Sequence, residues 1–277
     1  MIDVRKMSFF TVCAFSSVLL YNRFYDMALS HMGRVSSLKV EIWSDFVCPF
    51  CYLGKRRFEE ALNKFPHKEN VEVIYKSFEL NPNAKRDHNP NTIDMLVAKY
   101  GMTREQAKEN TRQISLQAKE VGLDYRLEEA IQTNTFDAHR LAHYAAAKGK
   151  LEEMTERLLK AHFTEVKHLG KHEVLIELAA EVGLDREEVK RMLASDDYGD
   201  SVRRDQQEAA ALQVRGVPFF VINRKYAVSG AQPAELFLQA LQKAWEENKP
   251  LTVIGNADEA CTDDGCIMPE KGKNADG

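Results

Sequence analysis

The chain has 277 residues, an apolar fraction of 44%, a charged fraction of 29% and a formal net charge of −4, which together are typical of a soluble globular protein with room for a buried core. The acidic balance gives no sign of the clustered excess of Lys and Arg that nucleic-acid-binding proteins carry, so we expect no nucleic-acid partner. Five cysteines are too few for a disulfide-built scaffold of this length.

Residues 1–37 precede the first strand-like segment, and several interpretations of them remain open. Arg5 and Lys6 come before a mostly apolar run over residues 7–21, and residues 28–30 resemble a cleavage site, which is the outline of a secretory signal. The run is short and is interrupted by Ser and Thr, which argues against a membrane span. We therefore treat residues 1–37 as an N-terminal extension, with export of the protein as the alternative if the segment is a signal.

The folded part begins with a strand, a CxxC motif and a helix. Residues 38–43 alternate between apolar and polar side chains and are rich in β-forming residue types, which predicts a strand. They lead directly into the motif Cys48-Pro49-Phe50-Cys51. Apolar residues recur at helical spacing over 52–65, and residues 71–78 read as a second strand. A CxxC in this βαβ context favours redox chemistry over zinc binding. The alternatives are a zinc half-site or two unrelated buried cysteines.

The middle of the chain is helical and its end returns to β structure. The pattern predicts helices over residues 91–100, 103–121, 135–148, 151–167, 173–182, 186–194 and 198–212. Short strands follow over 217–223 and 225–229, and a last helix over 232–248. The two strands before the helices and the two strands after them are each too few to form a stable sheet, so we expect all four to join in one sheet. We predict an α/β domain made of residues 38–90 and 213–249, a helical domain inserted at 91–212 and a flexible tail at 250–277.

The two thiols of the CxxC have different expected roles. A thiol at a helix N-terminus faces free N–H groups and the positive end of the helix dipole, which brings its pKa from about 8.5 to roughly 3.5–7.5. Cys48 is therefore the expected nucleophile, and Cys51, one turn later and more covered, the resolving thiol. Pro49 fits the first turn without losing a hydrogen bond, and we expect Pro49 and Phe50 to contact the substrate.

Three separated motifs carry a family resemblance. Residues 44–55 (SDFVCPFCYLGK), 134–141 (NTFDAHRL) and 216–218 (GVP) occur in this order, and together they resemble the DsbA-like oxidoreductases of the FrnE type over about residues 38–248. The resemblance implies a thioredoxin-like fold with a large inserted helical domain. It also implies oxidation, reduction or isomerisation of disulfides in protein substrates, a cytoplasmic location for many members, and no metal or organic cofactor.

The resemblance also assigns the GVP motif. Thioredoxin-like proteins place a cis-proline opposite the CxxC, where the backbone pairs with an extended substrate. Pro218 is then the cis residue and Val217 the residue that presents its backbone to the substrate, with an ordinary trans-proline as the alternative. Related glutathione-dependent isomerases and kappa-type transferases have Ser in place of Cys48, so the retained dithiol makes them the second choice, with glutathione or another small thiol as a partner. A non-catalytic, chaperone-like peptide-binding module is the third.

Three further sets of residues are candidates for auxiliary roles. His139 belongs to the shared 134–141 stretch, and we expect it to steer substrate or a proton unless it is a packing residue. Glu41 is a possible buried proton relay to Cys51, or an edge carboxylate. Cys261 and Cys266 in the acidic tail form an auxiliary redox pair, a passive disulfide, or inert or weakly metal-binding thiols. The nearby carboxylates should raise the pKa values of these thiols and make them slow nucleophiles.

Overall fold

The computed structural model describes residues 37–86 and 90–248, and the backbone of residues 261–262 and 265–266. The predictions for the N-terminal extension up to residue 36 and for the side chains of Cys261 and Cys266 lie outside this part of the chain. Its elements are, in order, β1 (Leu38–Ser44), α1 (Pro49–Lys64), β2 (Val71–Ser77), α2 (Thr92–Tyr100), α3 (Arg104–Glu120), α4 (Phe136–Ala147), α5 (Leu151–Phe163), α6 (His172–Glu181), α7 (Arg186–Ala194), α8 (Gly199–Ala211), β3 (Phe219–Ile222), β4 (Tyr226–Ser229), α9 (Ala234–Glu247), β5 (Cys261–Thr262) and β6 (Gly265–Cys266).

A four-stranded sheet joins the two ends of the folded chain in the order β2-β1-β3-β4. β1 runs parallel to β2 and antiparallel to β3, with Ile42 opposite Phe220. The expectation that the two half-sheets meet is therefore confirmed, and the helices α2–α8 stand between them in the chain. This is the predicted α/β, thioredoxin-like fold with a helical insertion.

Alternation along β1 gives the sheet two different faces. Val40 and Ile42 pack with Phe58 of α1 and Phe237 of α9 in an apolar core. On the other face, Trp43 packs with a small cluster that includes residues of β3 and α8, and its indole N–H donates to the Asp205 carbonyl at 2.9 Å. The sheet is thus fixed on both faces directly behind the CxxC segment.

The helix boundaries follow local signals, with a few shifts from the predictions. Thr103 and Gln106 form the expected capping box at the start of α3. The helix predicted over 151–167 ends at Phe163, because Val166 adopts a left-handed conformation (φ 56°) and the Lys167 amide turns back to the Ala161 carbonyl at 2.8 Å. α1 begins at Pro49 with Cys48 as its N-cap, in agreement with the predicted CxxC at a helix start.

None of the helices in the described ranges has the length and apolar character needed to cross a membrane. In the tail, β5 and β6 pair antiparallel with Cys261 opposite Cys266.

Candidate active site

Cys48 occupies the N-cap of α1, where backbone hydrogen bonds shape the turn. Its amide donates to the Asp45 carbonyl at 3.1 Å, and its own carbonyl accepts from the Cys51 amide at 3.0 Å. Pro49 follows at the first helical position, where its missing N–H leaves no helix bond unmade. The helix N-terminus therefore starts at the first cysteine, as the motif predicts.

Cys51 is buried in the first turn of α1, and both cysteines are free thiols. Burial raises the pKa of the Cys51 thiol well above its usual value, and its hydrogen bond with Cys48 adds to the rise. The Ser44 hydroxyl and the Asp45 amide act in the opposite direction; the amide donates to the Cys51 Sγ at 3.4 Å. The Cys51 thiol is thus protonated at neutral pH, and three polar groups act on it: the Cys48 thiol, the Ser44 hydroxyl and the Asp45 amide.

The loop before β3 faces the first cysteine. The Val217–Pro218 peptide bond is cis, as predicted, and the Cys48 thiol donates to the Val217 carbonyl at 3.4 Å. The loop is anchored from β4, since the Gly230 amide donates to the Pro218 carbonyl at 2.9 Å. Within the described residues, the Val217 amide makes no backbone hydrogen bond, so it is available to an incoming strand.

A cavity of about 490 Å³ opens beside Cys48, and we call it the front cavity. Its walls are mainly apolar and come from the CxxC turn, the loop before α2, α2, α3 and the Val217 loop. They include Val47, Pro49, Phe50, Leu80, Met95, Leu96, Tyr100, Met102, Ile114 and Val217, with Lys85 and Lys99 among the polar members.

The expectation that Cys48 is an exposed thiol needs correction. The residue is only 4% exposed, against 3% for Cys51. Cys48 lines the front cavity whereas Cys51 does not, so access through the cavity, and not the exposed fraction, distinguishes the two thiols. Phe50, at 41% exposed, stands at the same cavity and presents an apolar ring to whatever enters it.

Two of the basic residues that follow the CxxC, Lys55 and Arg56, are paired with carboxylates. Lys55 is buried and pairs with Glu59 and with Glu156, the latter at 2.9 Å. Arg56 pairs with the same two carboxylates. These side chains tie α1 to α5 and contribute no free positive charge to the thiols.

His139 does not reach the front cavity, which corrects its predicted contact with substrate. Its ring is 3% exposed and packs on Phe46 with ring centroids 4.8 Å apart. Its Nε2 atom lies 3.4 Å from the Asp45 Oδ1, while the Asp45 Oδ2 accepts from the Leu80 amide at 2.7 Å. His139 is therefore a buried neighbour of the turn that precedes Cys48.

Glu41 is buried as expected, but it is engaged elsewhere. Its carboxylate forms an ion pair with Arg224 in the β3–β4 turn, through a hydrogen bond of 2.5 Å, and a longer one with Lys39 at 3.8 Å. The side-chain hydroxyl that lowers the pKa of the Cys51 thiol is that of Ser44. The cation that pairs with Glu41 lies 183 residues away in the sequence, and the relay from Glu41 to Cys51 stays a prediction.

Two functional candidates escaped the sequence analysis. Tyr125, in the loop between α3 and α4, donates its hydroxyl to the Pro49 carbonyl at 2.8 Å. Ser44 contacts Cys51 as described above. Ser44 belongs to the motif 44–55, so its position next to the turn was a usable signal, whereas nothing near Tyr125 in the sequence marks it.

Comparisons with known proteins agree with this geometry. Residues 39–242 match the family model described as the DSBA-like thioredoxin domain. The chain is 48% identical to a structure titled probable DsbA oxidoreductase from Streptomyces coelicolor, covering 84% of this chain and 99% of that one with a TM-score of 0.75. It is 29% identical over 209 residues to the uncharacterized protein YwbO of Bacillus subtilis (strain 168), covering 74% of this chain and 96% of that one.

A more distant structure shares the fold alone. A 2-hydroxychromene-2-carboxylate isomerase aligns at 15% identity over 76% of this chain and 97% of its own, with a TM-score of 0.59. The family model covers residues 39–242, well over half of the chain. The chain belongs to the DsbA-like thioredoxin domain family.

Proposed function

We propose that this DsbA-like oxidoreductase exchanges disulfides with protein substrates, with Cys48 as the nucleophile and Cys51 as the resolving thiol. The observation that carries the proposal is the placement of the Cys48 thiol at three features at once: the N-terminus of α1, the Val217 carbonyl at 3.4 Å and the front cavity. An extended substrate that pairs with the free Val217 amide brings its sulfur to Cys48.

The chemistry proceeds in two balanced steps. The Cys48 thiolate attacks one sulfur of a substrate disulfide, and the other substrate sulfur leaves as a thiolate that takes up a proton. The Cys51 thiol then loses its proton and attacks the Cys48 sulfur, which releases the substrate as a dithiol and leaves a Cys48–Cys51 disulfide. The same steps in reverse oxidise a substrate dithiol.

Substrate trapping tests this division of roles. Insulin reduction and the refolding of scrambled ribonuclease are measured for the wild type, Cys48→Ser and Cys51→Ser. We expect Cys48→Ser to abolish turnover, and Cys51→Ser to accumulate a mixed disulfide at Cys48 that non-reducing electrophoresis detects. Full turnover by Cys48→Ser, or trapping through Cys51 in its place, would contradict the proposal.

A glutathione-linked activity on a small molecule is the second candidate. The front cavity favours it, since 490 Å³ falls in the range of about 300–1,000 Å³ that small-molecule sites occupy. Turnover of glutathione with a small aromatic substrate, retained in a Cys51→Ser variant, would support it over protein disulfide exchange. Binding of unfolded peptide without any turnover would instead support a chaperone-like module.

The tail cysteines are proposed to exchange with the active-site pair. In an antiparallel pair, opposite residues have Cα atoms about 4.5–5.5 Å apart, which is compatible with a disulfide; Cys261 and Cys266 are such a pair. Thiol titration of the Cys48→Ser variant tests the exchange, and a tail redox state that is independent of Cys48 would rule it out.

We propose a cytoplasmic location on the basis of the sequence resemblance, and cell fractionation tests it.

A further inference from the structure

One wall of the front cavity comes from residues 79–86, a segment without helix or strand that begins two residues after the end of β2. We call this segment the strap. It contributes Leu80, Asn81, Ala84 and Lys85 to the walls. Leu80 is 40% exposed, so its apolar side chain is open to whatever enters the cavity, as that of Phe50 is. A substrate segment that approaches Cys48 through the cavity therefore meets the strap.

Side chains, and not a backbone ladder, hold the strap in place. Within the described residues, its backbone hydrogen bond runs from the Ala84 amide to the Asn81 carbonyl, inside the strap itself, and none joins it to a helix or strand. Arg203 and Gln206 of α8 donate to the Glu79 carboxylate at 2.7 and 2.6 Å, at the beginning of the strap. The position of this wall thus depends on the side chains that bond to it.

Asp45 connects the strap to the turn that carries the first cysteine. Its Oδ2 accepts from the Leu80 amide at 2.7 Å, and its backbone carbonyl accepts from the Cys48 amide at 3.1 Å. Asp45 is 1% exposed, so water has little access to either bond. One residue therefore sets where Leu80 stands relative to Cys48.

Asn134 holds the middle of the strap. Its Nδ2 donates to the Pro82 carbonyl at 3.2 Å, and its Oδ1 accepts from the Phe136 amide at 3.0 Å. An amide side chain has a donor and an acceptor end, and here each end has its own partner. Asn134 therefore joins the strap to the start of α4.

Asp137 holds the end of the strap. Its carboxylate is buried and pairs with the exposed Arg86 at 2.5 Å, and also with Arg140 at 2.9 Å and His172 at 2.7 Å. The Thr133 hydroxyl donates to the Arg86 carbonyl at 3.4 Å. The start of the stretch 134–141 thus fastens the strap at two places, through a carbonyl and through a cation.

We propose that Asn134 and Asp137 are positioning residues that hold the strap for substrate selection, so that the enzyme prefers protein segments with large apolar side chains beside the cysteine. The proposal rests on the dithiol function stated above. Leu80 packs on the apolar side chain of the substrate while Cys48 acts on its sulfur. Neither Asn134 nor Asp137 lines the front cavity, so both act through the strap and not by contact with substrate.

Asn134→Asp removes the bond to the strap and keeps the bond to the helix. The new carboxylate can still accept from the Phe136 amide, but it has no N–H for the Pro82 carbonyl. Asn91→Asp is the matched control. The Asn91 Oδ1 accepts from the Asp94 amide at 2.9 Å at the start of α2, and Asn91 does not line the front cavity.

Two disulfide peptides without charged groups serve as probes, one with large apolar residues beside the cysteine and one with glycines there. Their reduction is measured with glutathione regenerating the enzyme. We expect Asn134→Asp to raise KM for the apolar peptide about threefold to tenfold, the effect of losing one net-favourable hydrogen bond. KM for the glycine peptide and kcat for both should stay within about twofold. A merely structural defect lowers the active fraction, and so lowers kcat for both peptides equally without a KM change for one.

Arg86→Ala provides an independent test at the other contact. It leaves Asp137 paired with Arg140 and His172, so no buried charge loses all its partners. We expect the same rise in KM for the apolar peptide. Arg112→Ala is its control, because Arg112 is an exposed residue that pairs with Glu109 on α3 and does not line the cavity.

An unchanged KM for the apolar peptide in both Asn134→Asp and Arg86→Ala overturns the proposal. The same holds if the two peptides change alike, or if Asn91→Asp and Arg112→Ala give the same rise. A wild-type protein that reduces neither peptide and whose Cys48 does not react with dithionitrobenzoate would instead overturn the dithiol function.

Discussion

Gly54 of α1 lies so close to the ring of Pro218 that a Cβ atom at Gly54 would stand 2.9 Å from the Pro218 Cγ. The same Cβ would be 3.5 Å from Ala231 in the segment after β4. The absence of a side chain at Gly54 therefore lets the CxxC helix pack directly on the cis-proline loop. This packing holds the Cys48 thiol at the Val217 carbonyl.

Gly54→Ala is expected to push the loop away from the helix. The methyl group meets a proline ring and backbone, which cannot rotate aside as a flexible side chain does, so we expect a loss of about 1–3 kcal/mol in the free energy of unfolding and slower insulin reduction. Urea unfolding and the insulin assay measure the two effects. Gly199→Ala is the control, because its Cβ would meet only Phe136, at an ordinary 3.5 Å; equal behaviour of the two variants would contradict the argument.

Tyr125→Phe tests the hydrogen bond to the CxxC turn. Removing the hydroxyl that bonds to the Pro49 carbonyl should cost about 0.5–1.5 kcal/mol of stability and lower the insulin reduction rate severalfold, because the turn that carries Cys48 loses a support. Tyr144→Phe is the matched control, since its hydroxyl bonds to Glu188 away from the thiols. We expect the control to lose stability but not rate, so a rate loss shared by both would count against a specific role of Tyr125.

The sequence predicted the parts of the site that depend on local signals. Predicting that Cys48 lies at the start of a helix requires only a strand, a proline at the first helical position and an apolar helical pattern, all within residues 38–65. Pro218 was assigned by resemblance, and its cis bond is present. The contacts of His143 with Ser77 and with Asp205 were not predictable, because they join three elements that are far apart in the sequence.

The ion pair of Glu41 with Arg224 was not predictable for the same reason. A carboxylate on the strand before a CxxC is a reasonable relay as long as its partner is unknown, and the partner, Arg224, is brought in by β3 pairing with β1. His139 was expected at the substrate for a comparable reason. The helical pattern of 134–141 fixes its spacing, but which cavity its helix faces depends on the packing of α4 against β2 and α5.

Phe50→Ala should affect protein substrates selectively. The ring is 41% exposed at the front cavity, so an apolar substrate segment can cover it. We expect kcat/KM for a cysteine peptide with large apolar neighbours to fall about tenfold, since covering such a ring contributes roughly 1–2 kcal/mol. Attack on dithionitrobenzoate, which makes little use of the ring, should stay within twofold.

Leu236→Ala controls for general loss of exposed apolar surface. Leu236 lies on α9 with the same exposed fraction of 41%, and it does not line the front cavity. Its replacement should leave both rates unchanged. If the two variants reduce peptide turnover equally, or if neither does, the front cavity is not the binding site for the peptide.

His162 makes the stability of the protein depend on pH below neutrality. The side chain is fully buried on α5, and neither ring nitrogen has a hydrogen-bond partner in the described part of the chain. Burial lowers the pKa of His162 from 6.5 to about 4, with the nearby Asp45 carboxylate opposing the shift. In the unfolded chain the imidazole takes up a proton near pH 6.5, whereas in the folded protein it remains neutral until about pH 4.

The unfolded state therefore binds more protons between these two values, and the free energy of unfolding falls as the pH falls. The contribution of His162 is fully present above pH 6.5 and is lost progressively toward pH 4, by about 3 kcal/mol in total, since one pKa unit corresponds to about 1.4 kcal/mol. His162→Phe, which keeps a ring in the buried site and has no group to titrate, should remove this part of the slope. Urea unfolding at pH 7.5 and pH 4.5 measures it, and a slope as steep in His162→Phe as in the wild type would show that other groups control acid unfolding.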